Sequence, residues 1–541
     1  MHERFRGYFV LLYMQKYSIR RDKTGHFNQQ SNWLAYDQQQ LSEFISKPFN
    51  RQNLFEQAKK KCDSFSPGYR EVLASSLLNQ YNKLPQNQSV NTQIQRLKEK
   101  NTVTIVTGHQ PVVFGGPAYT VYKILHVVRL CEELNAEQQA FHFVPIFWLA
   151  GEDHDFAEMS SIKLFHSEIS LDKKHGGAFG RYPFFAVEEL KEQFSSLFRN
   201  TDSNEIADVL NSYHGETIVE ATQSLFHYLF GDYGLLVLNP DDKDLKHLFS
   251  PIMAEELGHQ RALNAMKADQ DRFIASGLKA QAQPRPINLF YLEEKSRERI
   301  QQDDEDYFIE GKGKISSEAM RQELEEHPES FSPNVILRPI YQEVILPNVC
   351  YIGGVGELAY WLQLLPVFNA YRIDFPLIHP RCSITLIEKK WEKRLQRTKL
   401  LLEDLFRPVD RIVKERTERL ASEHFDLREL ELARLQLRKV AESLFPGLDE
   451  NAVKNISKEL HLCEEAIHRI NQRILKSVKT SQEQEMNDLQ LLFQGIFPNG
   501  GLQERDVSFF QFCSDGKIRH RIRQVHDLID PFDPDFLFLK E

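Results

Sequence analysis

At 541 residues the chain is too long for one hydrophobic core, and its size suggests roughly three to four domains. A hydrophobic share of 41% and a charged share of 27% place it among ordinary globular proteins, and a net charge of −10 argues against a nucleic-acid protein, which would carry a basic footprint. The cysteines, at 62, 131, 350, 382, 463 and 513, include no C-x-x-C pair, so they suit reduced cytosolic thiols better than a disulfide framework or a zinc site. The apolar run Gly7–Met14 follows Arg4 and Arg6, yet no small-residue cleavage site comes after it. No later run reaches the roughly 18 apolar residues of a membrane span. The expectation is a cytoplasmic protein without membrane segments, with residues 1–35 as an N-terminal extension.

From about Tyr36 to Lys100 the pattern is helical, and then strands and helices alternate. Strands are expected at Val103–Thr107, Phe141–Ala150, Leu235–Leu238, Ile287–Leu292, Asn334–Leu337, Val349–Ile352 and Phe375–His379. Helices are expected between them, at Tyr119–Leu134, Glu188–Phe198, Ile218–Phe230 and Leu245–Ser276. Such alternation implies βαβ units and a mostly parallel sheet over residues 36–382. Polar stretches near 161–210, with glycines around His175–Gly180, and an acidic stretch at 301–333 read as insertions. Residues 383–493 change character and read as a helical hairpin or small bundle. Ile456, Leu460, Cys463, Ile467, Ile470 and Ile474 step by four and three, which makes a coiled-coil seam, and breaks fall at Phe406-Arg-Pro408 and Phe445-Pro-Gly447. Residues 494–541 return to the core, so Arg381–Thr385 and Phe497–Arg505 are expected to lie side by side.

Three loops carry chemistry. In Gly108-His-Gln-Pro-Val-Val-Phe-Gly-Gly-Pro117 the glycines, Gly116 among them, allow close backbone approach, and the helix start after Pro117 offers N–H groups to an anion. His109, Gln110, Tyr119 and Lys123 add side-chain donors; a tight βα connection is the plain alternative. Gly151-Glu-Asp-His-Asp155 crowds four ionisable groups at a strand end. His154 between carboxylates is expected to have a raised pKa and to serve as acid, base or orienting donor. The alternative is a helix cap by Asp153 or Asp155. Contiguous residues cannot all face one metal, and no metal ligand is assigned. In the third region Arg338 suits a carboxylate or phosphate, whereas Glu357, at a second glycine loop, suits an amine. Arg381 can reach an anion or form a structural ion pair, and Cys382 reads as buried filler.

Taken together, Thr107-Gly-His-Gln-Pro111, Gly116-Pro-Ala-Tyr-Thr-Val-Tyr-Lys123, Pro145–Phe156, Leu337-Arg-Pro339, Gly353–Trp361, Pro380-Arg381 and Phe497-Pro-Asn-Gly500 resemble the BshC family, the cysteine-adding enzymes of bacillithiol biosynthesis. The resemblance implies a Rossmann-like core with connective insertions, a coiled-coil domain supporting a homodimer, and a cytosolic ligase that condenses L-cysteine with glucosaminyl-malate. The family usually shows T-G-Q-Q, so His109 is a departure. On this reading Gly108, His109, Gln110 and Arg338 contact substrate anions. His154 is the base candidate, with Glu152, Asp153 and Asp155 holding either it or the amine. Activation of the cysteine carboxyl calls for an ATP- or ADP-type nucleotide, with Ser383, Ile384, Thr385, Asn499, Gly500 and Arg505 as its candidate site. A metal-dependent hydrolase or deacetylase using Gly151–Asp155, and a metabolite-binding coiled-coil scaffold, are the alternatives.

Overall fold

The computed structural model describes residues 14–171, 176–184, 188–198, 204–424, 427–481 and 483–541. It resolves into two compact units, residues 1–386 with 502–541, and residues 387–501. His175 and the first thirteen residues lie outside the described set. The strands in chain order are β1 (Gln15–Ile19), β2 (Thr102–His109), β3 (His142–Leu149), β4 (Ser161–Leu164), β5 (Ser167–Ser170), β6 (Leu236–Leu238), β7 (Leu289–Leu292) and β8 (Arg297–Asp303). They continue with β9 (Asp306–Ile309), β10 (Gly313–Ile315), β11 (Phe331–Pro333), β12 (Asn348–Gly353), β13 (Leu377–Pro380), β14 (Ser383–Ile387) and β15 (Phe536–Lys540).

The central sheet runs β13-β12-β2-β3-β6, and every neighbouring pair is parallel. Both faces are covered, which is why β2 and β3 read as near-continuous apolar runs. Along β3 the pleat sends Val144, Ile146 and Trp148 into one hydrophobic cluster and Phe147 and Leu149 into another. Helix Tyr119–Glu137 crosses between β2 and β3. The turn before it places Gly116 at φ +75°, and a Cβ there would stand 2.9 Å from the Val112 side chain. Glycine is required at that position.

Several expectations are corrected. Leu289–Leu292 does not extend the parallel sheet; it belongs to an antiparallel sheet of order β10-β9-β8-β7-β11. The insertion therefore starts before residue 301. Short connections suffice for antiparallel pairing, and a brief apolar run cannot announce which kind of sheet it joins. Asn334–Leu337 is no strand: Asn334 accepts from the N–H of Ile336 and Leu337 at 2.9 and 3.3 Å and leads into helix Arg338–Ile345. The expected helix Leu245–Ser276 breaks at Gln260 (φ 49°) into Lys243–His259 and Arg261–Ala275. Residues from Gln15 onward are no appendage, because β1 pairs antiparallel with β15.

The second unit contains helices Lys389–Thr398, Val409–His424, Leu427–Leu444, Glu450–Ser481 and Glu483–Ile496. Pro446 ends Leu427–Leu444 as expected, whereas the first helix stops at Thr398, where Lys399 is left-handed (φ 51°), and Pro408 stands just before the next helix. Its core gathers Ile412, Val413, Met486 and Leu489. The coiled-coil seam is only partly covered by its own unit. Leu460 is buried, whereas Cys463 is exposed and Ile470 is 46% exposed.

Candidate active site

In the central sheet β2 lies between β3 and β12, so the chain runs outward from β2 first through β3 to β6 and later through β12 to β13. Crossovers leave β2 and β12 in opposite directions, and a crevice opens beyond their carboxyl ends. A cavity of about 610 Å³ occupies that place. Gly108, His109 and Gln110 from the β2 end, Asp153 beyond β3, and Arg338 and Glu357 flanking β12 all line it.

His109 is half-buried there. Its Nδ1 lies 3.0 Å from the Gln110 carbonyl, which can only accept, so Nδ1 carries the proton and Nε2 accepts from the Tyr119 hydroxyl. Burial, and next the Lys123 ammonium, push the imidazole down from 6.5 to about 4. Lys123 is itself buried, donating to Gly108 O at 2.8 Å and to Glu357 Oε1 at 2.6 Å. Glu357 Oε2 accepts from the Gly354 N–H at 2.6 Å. Tyr119 and Lys123 thus brace the wall from behind. At the helix start the Ala118 N–H donates to Val507 O at 2.8 Å and the Thr120 N–H to Pro117 O at 3.0 Å, so those two donors are committed, and Gly116 serves the turn.

The His109 shift has a pH consequence. The folded-state value lies below the unfolded one, so between pH 6.5 and about 4 the unfolded chain binds the extra proton. The stabilisation is complete above pH 6.5 and is lost as pH falls through that window. His109→Gln has no such proton to bind. Urea midpoints between pH 4 and 7 are expected to fall less steeply for the variant than for the wild type; identical slopes would mean that the imidazole is not held neutral.

The Glu152–Asp155 cluster divides among separate partners. Asp153 takes a two-pronged contact from Arg338, with Nη2–Oδ1 at 2.5 Å and Nη1–Oδ2 at 3.1 Å, and accepts from Gln110 at 2.9 Å. Although burial raises its pKa, Arg338, Arg297 and Gln110 together bring it well below the usual carboxylate range. Glu152 turns into the protein to meet Lys246, which also lies 3.4 Å from Asp241. Asp155 caps the short helix Phe156–Met159, accepting from Glu158 N at 3.4 Å.

His154 corrects an expectation. Its pKa is lowered, because partial burial and the Arg297 guanidinium outweigh Asp153 and Asp155. Arg297 Nη1 lies 3.1 Å from His154 Nδ1. A guanidinium only donates, so the one lone pair of the neutral ring is engaged. His154 can accept a substrate proton only when Arg297 releases it.

Arg381 is buried and paired with Glu504 at 2.7 Å. Ser383 Oγ and the Ile384 N–H donate to the same carboxylate at 2.5 and 2.9 Å, so a phosphate here would have to displace Glu504. Thr385 is buried beside them, and Arg505 is exposed. Asn499 and Gly500 belong to the second unit, in a turn with φ of 54° and 74°.

The cavity has a second side that the loop motifs did not announce. Gln281, Gln283, Arg285, Arg297 and Arg299 line it from the antiparallel sheet and the segment leading into it. The available signal was Arg297-Glu-Arg299: a period of two places both arginines on one face of a strand. It counts only once that strand is known to border the crevice.

A doubly wound parallel sheet with a charged crevice at its switch point, in a chain that also has a separate helical unit, defines a Rossmann-type fold with an added helical domain. Residues 14–382 match the N-terminal Rossmann-like domain of bacillithiol biosynthesis BshC, and residues 384–541 match its C-terminal coiled-coil domain. The chain belongs to the BshC family. A relative from Flavobacterium johnsoniae is 34% identical over 85% of this chain and 88% of its own length. Relatives from Christiangramia forsetii and Cytophaga hutchinsonii are each 32% identical, over 93% and 86% of this chain and 95% and 88% of their own lengths. All three bear the name "Putative cysteine ligase BshC". Among the described residues no helix is long and apolar enough to cross a membrane.

Proposed function

We propose that this chain joins the carboxyl group of L-cysteine to the amine of glucosaminyl-malate, forming the amide of bacillithiol. The observation that carries this reading is one crevice offering both polarities: arginines for carboxylates, and Glu357, whose side chain is 27% exposed, for an ammonium. Amide formation from a free carboxylate needs a leaving group. An ATP-type nucleotide supplies one as an acyl adenylate or acyl phosphate. The amine nitrogen then attacks the carbonyl carbon, the bond to the phosphate oxygen breaks, and the amine proton passes to a base. His154 takes that proton once its Nδ1 is freed from Arg297, and Glu357 holds the amine.

Purified protein supplied with cysteine, glucosaminyl-malate and ATP is expected to yield bacillithiol with stoichiometric AMP or ADP by mass spectrometry. A folded protein that binds glucosaminyl-malate yet forms no product with any nucleoside triphosphate would overturn the assignment as a self-sufficient ligase. We further propose a homodimer through the helical unit, where Leu432, Val440, Leu444 and Ile470 are 55%, 53%, 62% and 46% exposed. Apolar side chains in such number along two neighbouring helices suit a second copy. Light scattering at twice the chain's 63.3 kDa checks it.

A further inference from the structure

The cavity is lined by four arginines and two carboxylates, in a protein whose net charge is −10. The arginines are not equivalent. Arg338 spends both terminal nitrogens on Asp153. Arg297 is buried against Ser332, His154 and the Phe290 ring, its guanidinium carbon 3.9 Å from the ring centre. Arg285 and Arg299 are exposed, line the same cavity, and have no side-chain hydrogen bond or ion pair among the described residues. A pair of unspent guanidiniums facing one cavity is a site for a dianion.

Their setting is rigid. The Arg285 N–H donates to Asn288 Oδ1 at 3.2 Å, and Asn288 Nδ2 donates back to Arg285 O at 2.9 Å. Asn288 is in turn fixed by the buried Glu256 carboxylate, 2.7 Å from Nδ2. Just upstream, Gln363 Oε1 accepts from the N–H groups of Gln281 and Ala282 at 2.7 and 2.9 Å. Arg299 projects from β8, opposite Phe290 of β7. The backbone beneath both arginines is therefore held, and their side chains are left to the cavity.

We propose that Arg285 and Arg299 form a dicarboxylate subsite that receives the malyl end of the substrate; this rests on the function proposed above. Two carboxylates on adjacent carbons match two separate guanidiniums, each able to take one in a forked contact. A nucleotide polyphosphate, with its higher negative charge, fits less well, because Asp153 and Glu357 share the cavity. A cavity of about 610 Å³ accommodates an amino sugar linked to a four-carbon diacid.

Titration calorimetry on the full chain tests the subsite. Wild type, Arg285→Gln, Arg299→Gln and the double variant would each be titrated with glucosaminyl-malate, L-malate, methyl glucosaminide and ATP. Each single substitution is expected to weaken glucosaminyl-malate by roughly 10- to 100-fold, the effect of losing a charge-assisted contact. Methyl glucosaminide, which lacks the acid, is expected to bind all four proteins alike. Unchanged glucosaminyl-malate affinity in the double variant, or a loss confined to ATP, overturns the subsite. Wild type that binds L-malate through both arginines but ignores glucosaminyl-malate keeps the subsite and overturns the proposed substrate. Binding of neither overturns both. Both side chains are exposed, so unchanged melting temperatures are expected and would exclude misfolding as the cause.

Discussion

Replacing Lys246 by methionine is expected to cost about 3–5 kcal/mol of stability, the loss typical when one partner of a buried ion pair is removed. The Lys246 side chain is 1% exposed and that of Glu152 is 3% exposed, so the carboxylate left behind cannot reach water. Lys246 also donates to Phe331 O at 2.8 Å and lies 3.4 Å from Asp241, tying the loop after β3 to β11. Asp241 keeps Arg181, at 2.6 and 2.7 Å, whereas Glu152 has no second cation within ion-pair distance among the described residues. Adding Glu152→Gln to the methionine variant is expected to recover part of the loss, since the stranded charge is then gone. Urea denaturation of both proteins gives the two numbers. A single-variant cost under about 1 kcal/mol would show that water reaches the pair and that Glu152 is not structural.

The largest effect on activity is expected at Arg338. Its fork holds Asp153 at the mouth of the crevice, and Asp153 in turn holds Gln110 at the end of β2. Arg338→Gln releases both strand-end loops at once. A displacement of about 1 Å in such a frame can cost about 100-fold in rate, so kcat/KM for bacillithiol formation is expected to fall by at least about that factor. The side chain is 21% exposed, and the fold is expected to survive. Arg338→Lys separates geometry from charge: an ammonium keeps the charge but not the fork. Full recovery by lysine would mean that charge alone matters; recovery of only a small part supports the bidentate frame.

These two expectations concern neighbours in sequence with different duties. Glu152 and Asp153 are adjacent, yet one turns inward to Lys246 and the other faces the crevice. The block Gly151–Asp155 is legible as a charged strand end and as a family motif. Nothing within it tells which carboxylate faces the ligand, because the partners Lys246, Arg297 and Arg338 arrive from elements about 90 to 190 residues away. His154 shows the same limit: local carboxylates argue for a raised pKa, and burial together with a distant arginine reverses the sign.

By itself the sequence determined what local rules control. Continuous apolar runs specified buried parallel strands, the positive-φ turn required Gly116, Pro446 ended a helix and Pro408 preceded one, and the four-three apolar step marked the coiled-coil seam. The joint motifs placed the chain in its family. Tertiary structure alone decided which charges are spent and which are available. It paired Arg381 with Glu504 and Arg338 with Asp153, and brought Arg285 and Arg299 to the crevice from an antiparallel sheet and the segment leading into it, where alternation had assigned Ile287–Leu292 to the parallel sheet. The physical reason is range. Backbone preferences are set within a few residues, whereas a buried charge takes its meaning from whichever opposite charge the fold delivers to it.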